Sequence, residues 1–198
     1  MASFAGIAAA GKSIERFLSL GFGEVEPVSN KTTKAVLIRT NDFDLEPNKT
    51  VITPPALSIF VYRVDFNKTM RAAWSAVGTQ DGRGHLALDI HFLITPWAEN
   101  AEDELRILGR AMQCLETTPT LSGPLLHPDG DWAGHESVQV VMEEISTEAV
   151  MRTFDSLTAD YRLSVPYIAR IVRLDSRALR PDVPVTTLRV NQTASAAA

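Results

Sequence analysis

Apolar and polar residues alternate along two stretches in the middle of the chain, residues 56–66 and 85–94. Because successive side chains of a strand point to opposite faces, each stretch is typical of a β-strand. In the second stretch one face carries Leu86, Leu88, Ile90, Phe92 and Ile94. The other face carries His85, Ala87, Asp89 and His91. The pattern predicts that the first face is core and that the second faces water or a partner.

A helical pattern replaces the alternation after Trp97. Asn100 is a typical N-cap residue, and the three acidic residues at positions 102–104 suit the positive end of a helix dipole. Pro119 is expected to end the helix. Its apolar stripe is predicted to be Leu105, Leu108, Met112 and Leu115.

Two further helices and three further strands are predicted from the same periodicities. The chain opens with an amphipathic helix that starts near Phe4 and stops near Gly21 and Gly23. Ser146 is predicted to cap a helix over residues 147–157, with Val150, Phe154 and Leu157 on one face. The predicted strands are residues 34–40, 138–142 and 161–174. The last is expected to place Leu163, Val165, Tyr167, Ala169 and Ile171 on one face, with Pro166 at a sheet edge or a bulge.

These elements predict an α+β fold, a mixed and mainly antiparallel sheet with about three helices packed on one side. The domain is expected to cover residues 1–174, followed by an extended or disordered arm over residues 175–198, where two prolines interrupt a polar composition. Within the arm one β-branched stretch is typical of a strand added to an exposed sheet edge. It consists of Val185, Thr186, Thr187, Leu188, Arg189 and Val190.

Three ordered blocks of the sequence carry a family resemblance. They are LSIFVYRVDFNKTMR from Leu57, LALDIHFLITPWAENAEDELRILGRAMQCLETTPTL from Leu86, and ADYRLSVPYIARIVRLDS from Ala159. Together they resemble the cap protein, or tail terminator, of phage-tail-like contractile injection systems. The similarity runs from Phe4 to about Ser176.

The resemblance implies a structural protein with a tail-terminator-like fold. It implies a homo-hexameric ring at the distal end of the particle that closes the inner tube, contacts the last sheath ring and fixes particle length. The implied partners are the inner tube protein and the sheath protein, and Val185–Val190 is the expected sheath-binding segment. An adaptor or baseplate-linked component of the same particle is the alternative. No enzymatic activity and no cofactor are implied.

Composition narrows the function further. The net charge is −5, from 24 acidic and 19 basic residues, and no Lys/Arg cluster is present, so binding to nucleic acid is not expected. No apolar run reaches the roughly 18 residues of a membrane span. We therefore expect synthesis in the cytoplasm, incorporation into the particle and no direct membrane insertion. The single cysteine, Cys114, excludes a disulfide within one chain.

Residues 6–13, GIAAAGKS, match the phosphate-loop pattern G-x-x-x-x-G-K-[ST]. A phosphate loop needs a buried strand before its first glycine, and only five residues precede Gly6. Helical periodicity also continues through the motif. A packed helix is therefore the favoured interpretation, and a nucleotide-binding assembly factor is the alternative from a different functional class.

Two groups of residues have metal-ligand chemistry. His85, Asp89 and His91 share a strand face, but His85 and Asp89 are about 13 Å apart at ~3.3 Å per residue, too far for one ion. The loop residues His127, Asp129, Asp131 and His135 fit neither a calcium loop nor a zinc motif. We therefore predict no metal site, and we expect Cys114 to be a small buried residue with no catalytic role.

Overall fold

The computed structural model describes residues 3–43, 51–71, 84–157 and 160–175. In these parts of the chain, six strands form one sheet in the order β1-β2-β3-β6-β5-β4. β1 runs parallel to β2, and every other neighbouring pair is antiparallel. The strands are β1 Lys34–Ile38, β2 Ala56–Phe66, β3 His85–Trp97, β4 Thr120–Ser122, β5 Ser137–Met142 and β6 Val165–Asp175. The α-helices are α1 Gly6–Glu24, α2 Lys68–Arg71, α3 Ala101–Thr117 and α4 Thr147–Asp155.

The larger core lies on the sheet face that α1 and α3 cover, which we call the first face. Leu88, Ile90, Phe92 and Ile94 of β3 are buried there, as the alternation predicts. Leu86 was expected to be buried with them but is 47% exposed, near the end of the strand. The α1 side of this core contains Ala10, Ile14, Leu18 and Phe22. The expected α+β fold is confirmed.

The opposite face, which we call the second face, has a core of its own. There α4 contributes Val150 and Phe154, which pack with Phe43, Phe60, Leu93 and Trp97. The expectation that all helices lie on one side of the sheet is therefore wrong. The prediction rested on the polar residues of this face between His85 and His91. Further along β3 the same face carries apolar residues, such as Leu93 and Trp97, which pack with α4.

A β-bulge in β2 divides the second face into an apolar and a polar part. Val61 pairs with Phe92 and Arg63 pairs with His91, so Tyr62 is the extra residue. Because an extra residue shifts the alternation by one, both Tyr62 and Arg63 lie on the second face. The bulge therefore adds polar side chains beside His91, while Val64 and Phe66 beyond it belong to the first face.

The predicted helix caps are confirmed. Asn100 Oδ1 accepts a hydrogen bond from Asp103 N at 2.9 Å, and Ser146 Oγ accepts one from Ala149 N at 3.2 Å. The stripe of α3 is rotated from the predicted one, because Leu105 is 58% exposed. Close contact with α1 selects small residues there. The buried residues of α3 are Ile107, Leu108, Ala111, Cys114 and Leu115.

The predicted strand at residues 161–174 is β6, with two corrections. Pro166 lies at neither an edge nor a bulge, since β6 is between β3 and β5. A proline is tolerated here because Pro166 is the second residue of β6. Pairing with β5 starts only at the next residue, Tyr167, opposite Met142. The register to β3 shifts after Ala169, so Val172 joins the first core where Ile171 was predicted.

Candidate functional site

The two edges of the sheet differ in whether their main-chain groups are free to pair with an added strand. On the β1 edge, Ser19 Oγ accepts from Ala35 N at 3.1 Å, and Glu15 Oε1 accepts from Leu37 N at 3.3 Å. Side chains of α1 thus occupy outward-facing N–H groups of β1. Because an added strand needs those groups, the β1 edge is closed.

No described residue covers the β4 edge in this way. β4 is three residues long, and its Leu121 is buried against the first core, while Thr120 and Ser122 are exposed. In the described part of the chain no strand pairs with its outer side. A short edge limits uncontrolled pairing, which is one of the ways in which proteins protect sheet edges.

A polar cluster around the buried His91 occupies the middle of the second face. His91 Nδ1 lies 2.8 Å from both carboxylate oxygens of Glu143 and 3.0 Å from Arg63 Nη2. Tyr62 donates a hydrogen bond to Glu143 Oε2 at 3.1 Å, and Arg63 Nε pairs with Asp65 at 3.0 Å. Burial, together with the negative charge of Glu143, raises the pKa of Tyr62 to about 12. The cluster anchors the segment between β5 and α4 to strands β2 and β3.

The strand-face residues with metal-ligand chemistry are each bound to different partners. His85 Nδ1 lies 2.5 Å from Asp175 Oδ1, and Asp89 accepts two hydrogen bonds from Asn67 Nδ2, at 3.0 and 3.1 Å. His91 belongs to the cluster with Glu143. Among the described residues, no group of three or more His, Cys, Asp or Glu side chains could hold a metal ion. In the loop after β4, His127 Nδ1 lies 3.6 Å from Asp129 Oδ2.

A groove of about 470 Å³ lies on the second face, beside the end of β6. Its walls include Thr120, Trp132, Gln139 and Arg170, and Arg170 pairs in register with Gln139. Glu136 also lines it, and only 9% of the Glu136 side chain is exposed. Sequence reasoning missed this groove. Only the pairing of β5 with β6 brings these residues together.

Only one of the two carboxylate oxygens of Glu136 accepts a hydrogen bond from the described residues. Its Oε2 accepts a hydrogen bond from Ala133 N, but its buried Oε1 has no hydrogen-bond partner among the described residues. The nearest described cationic atom, Arg173 Nε, is 3.9 Å from Oε1, beyond hydrogen-bond distance. Arg170 is exposed, and its guanidinium makes no ion pair with any described residue. The groove therefore presents one unsatisfied acceptor and one unpaired cation.

The described chain ends at the wall of this groove. Arg173, which lines it, donates hydrogen bonds to Asp175 from Nε at 2.5 Å and from Nη2 at 3.0 Å. Burial alone would raise the pKa of the Asp175 carboxyl, but the hydrogen bonds from Arg173 and His85 outweigh it and hold that pKa below its usual value. Asp175 is therefore fixed as a carboxylate where the C-terminal segment begins.

The phosphate-loop match does not form a phosphate loop. Its residues lie inside α1, which begins at Gly6. Lys12 pairs with Glu15 at 2.6 Å, and the buried Ser13 hydroxyl donates to Ala9 O at 2.6 Å and accepts from His127 N at 2.7 Å. Because helical N–H groups are bonded along the helix, they do not converge on a phosphate. Ser13 instead holds the loop that follows β4 against α1.

Cys114 lies in the contact between α1 and α3. It is 7% exposed, and burial raises the pKa of its thiol. A raised pKa disfavours the thiolate, which is the reactive form. The expected sheath-binding segment, Val185–Val190, lies outside the described residues, as does all of the arm after Asp175. No helix in the described ranges is long and apolar enough to span a membrane.

The fold is that of a terminator from a contractile injection particle. Among solved structures, the chain is similar to the sheath/tube terminator of PVC, an extracellular contractile injection system, in its extended state. The identity is 18% and the TM-score is 0.57, over 98% of this chain and 65% of that chain. The chain is also similar to the tube-terminating cap of the anti-feeding prophage, with 20% identity and a TM-score of 0.45, over 69% of this chain and 49% of that one.

The family follows from the sequence match. The Pvc16 N-terminal domain family matches residues 10–187, so the chain belongs to this family. The resemblance to tail terminators of contractile injection systems is thereby confirmed. A comparison with curated proteins finds no match. The chain spans 65% of the length of the PVC terminator to which it is similar.

Proposed function

We propose that this protein is the structural cap of a contractile injection system. The observation that carries the proposal is the match to the Pvc16 N-terminal domain family over residues 10–187, together with the fold shared with the PVC sheath/tube terminator. Six copies form a ring at the distal end of the particle. The ring contacts the inner tube protein and the sheath protein, and its role is structural and not enzymatic.

The mechanism is steric. A tube or sheath grows because each added ring exposes a surface for the next one. The cap covers that surface on both cylinders, so growth stops and particle length is fixed. The protein is made in the cytoplasm and becomes part of the assembled particle, with no direct insertion into a membrane and no contact with nucleic acid. The acidic net charge of −5 is consistent with protein partners.

The C-terminal arm, residues 175–198, is the proposed link to the sheath. Fully extended, its 24 residues reach up to about 80 Å at ~3.3 Å per residue. Val185–Val190 adds as a strand to an exposed edge of a sheath subunit and satisfies main-chain groups there. Side chains of α1 already bind the N–H groups of Ala35 and Leu37 on the outer side of β1. The arm therefore does not add to β1 of its own subunit, which supports its addition to another protein.

Particles assembled with and without the protein test the proposal. We expect tubes of variable length and loosened sheaths in its absence, measured as a length distribution by negative-stain electron microscopy. The purified protein should have a solution mass of six copies of the 21.7 kDa chain, alone or with tube protein. Particles of unchanged length with intact ends would falsify the terminator function. Localisation at the baseplate end would favour the adaptor alternative.

A second experiment isolates the arm. Deletion of residues 176–198 keeps Asp175 with His85 and Arg173, so the domain is expected to fold. We expect this deletion to reduce the sheath retained with the cap. The matched control keeps arm length but replaces Val185–Val190 with glycine and serine. If the strand carries the binding, the control behaves like the deletion. Sheath retention equal to that of the intact chain in both variants would overturn the proposed role of Val185–Val190.

A further inference from the structure

The groove beside the end of β6 has the features of a docking site for a charged peptide. The Glu136 side chain is only 9% exposed, and no described residue donates a hydrogen bond to its Oε1. A buried carboxylate oxygen without a donor is costly, so native proteins normally satisfy such an atom. Arg170, on the same wall, has no anionic partner among the described residues. A donor from an occupant would satisfy Glu136, and an acceptor from the same occupant would pair with the exposed Arg170.

We propose that residues 176–182 of the same chain dock in this groove. The segment follows Asp175 directly, and Asp175 is hydrogen-bonded to Arg173, which lines the groove. Its charged residues are Arg177, Arg180 and Asp182, so the segment supplies cations for Glu136 and an anion for Arg170. Arg177 then donates to Glu136 Oε1, and Asp182 accepts from Arg170.

Docking of residues 176–182 gives the arm a fixed direction where it leaves the domain. Fixing seven residues near the domain shortens the freely moving part of the arm to residues 183–198. A shorter free linker raises the effective concentration of Val185–Val190 near the surface that it meets. The inference concerns the isolated subunit, so it stands or falls independently of the proposed cap function.

Native-state digestion with trypsin tests the docking in the full chain. Trypsin cleaves after arginine but poorly before proline, so the informative bonds are Arg177–Ala178 inside the proposed docking segment and Arg189–Val190 outside it. We expect cleavage after Arg177 to be at least about tenfold slower than after Arg189, the factor that one charge-assisted hydrogen bond contributes. Mass spectrometry of a time course measures both rates. Equal rates would overturn the proposal.

Variants identify the contacts. Glu136→Gln keeps an acceptor for Ala133 N but removes the charge, so cleavage after Arg177 should accelerate about tenfold while cleavage after Arg189 is unchanged. Asp182→Asn lies in the arm and does not disturb the domain. It should accelerate cleavage after Arg177 about two- to fivefold, as expected for an exposed ion pair. Arg170→Ala should do the same, and combining it with Asp182→Asn should add nothing.

Two results contradict the inference. The first is an unchanged rate after Arg177 in Glu136→Gln that remains folded by circular dichroism, or in Asp182→Asn. The second is protection of Arg177 that disappears on dilution, because that would place the segment in the groove of a second copy. Protection that is independent of protein concentration supports docking within one chain.

Discussion

The two faces of the six-stranded sheet differ in the side chains that they present. The first face is apolar from Ala35 of β1 to Leu121 of β4, and two long helices cover it. The second face changes character along the strands, from the apolar contact with α4, through the cluster around His91, to the groove beside Glu136. Burial of apolar area is non-directional, whereas charged groups need specific partners. The first face therefore supplies stability, and the second is the face suited to specific contacts.

The largest expected effect concerns the first face and uses two leucines of the same helix. Leu108→Ala should lower the free energy of unfolding by about 2–5 kcal/mol, because Leu108 is 6% exposed and its truncation leaves a cavity. Leu105→Ala is the matched control. With 58% of Leu105 exposed, its substitution should cost less than about 0.5 kcal/mol. Chemical denaturation of both variants measures the difference. Equal costs would mean that α3 presents the originally predicted stripe to the core.

The polar cluster of the second face gives the next effect. Glu143→Gln should lower the free energy of unfolding by about 1–3 kcal/mol, because it removes the more buried of the two carboxylates, Glu143 and Asp65, that contact both Arg63 and His91. Glu144→Gln, at the next position, changes an exposed residue and should be nearly neutral. The same denaturation experiment compares the two. If Glu143→Gln is as stable as Glu144→Gln, the cluster does not anchor the segment that leads to α4.

A smaller effect is expected where α1 and α3 touch. A Cβ atom at Gly21 would lie 2.6 Å from Cys114 Sγ, whereas a Cβ at Gly23 would meet nothing within 4 Å. Gly21→Ala should therefore destabilise by about 1 kcal/mol, after its gain in helix propensity is included. Gly23→Ala should stabilise by up to about 1 kcal/mol. In a Cys114→Ala background, Gly21→Ala should lose its penalty. A persistent penalty there would show that Sγ is not the obstacle.

The smallest effect is a pH dependence at the polar cluster. The pKa of Tyr62 is raised to about 12 from its ordinary value of 10.0, so its hydroxyl stays protonated in the folded state at pH values where it ionises in the unfolded one. Stability from this group is complete below pH 10 and is lost as the pH rises towards 12. Tyr62→Phe should show a shallower decline over that interval. Because burial also raises the pKa of Tyr167, the difference between the two proteins is the informative quantity. If the stability of both proteins declines equally over this interval, the raised pKa of Tyr62 is not its cause.

The comparison also explains which predictions failed. Periodicity located α1, α3, α4 and every strand except β4 because each long element buries a stripe, and local caps such as Asn100 fixed the starts of helices. It missed β4 and α2, which at three and four residues are too short to show a period. It misplaced Leu105 because two adjacent stripes of α3 are both apolar, and only contact with α1 selects between them. It misassigned Pro166 because its position relative to the end of β5 depends on pairing between strands distant in sequence.

The sequence by itself determined the family, the α+β class, and the absence of a phosphate loop at residues 6–13, since these depend on local pattern and order along the chain. The tertiary structure alone decided the two-sided core, the closed β1 edge, the cluster around His91 and the groove beside Glu136. Each of these joins residues separated by many positions, such as Glu15 with Leu37 and His91 with Glu143. Bulges in β2 and β6 change which face a side chain occupies, and periodicity alone does not reveal where a bulge lies.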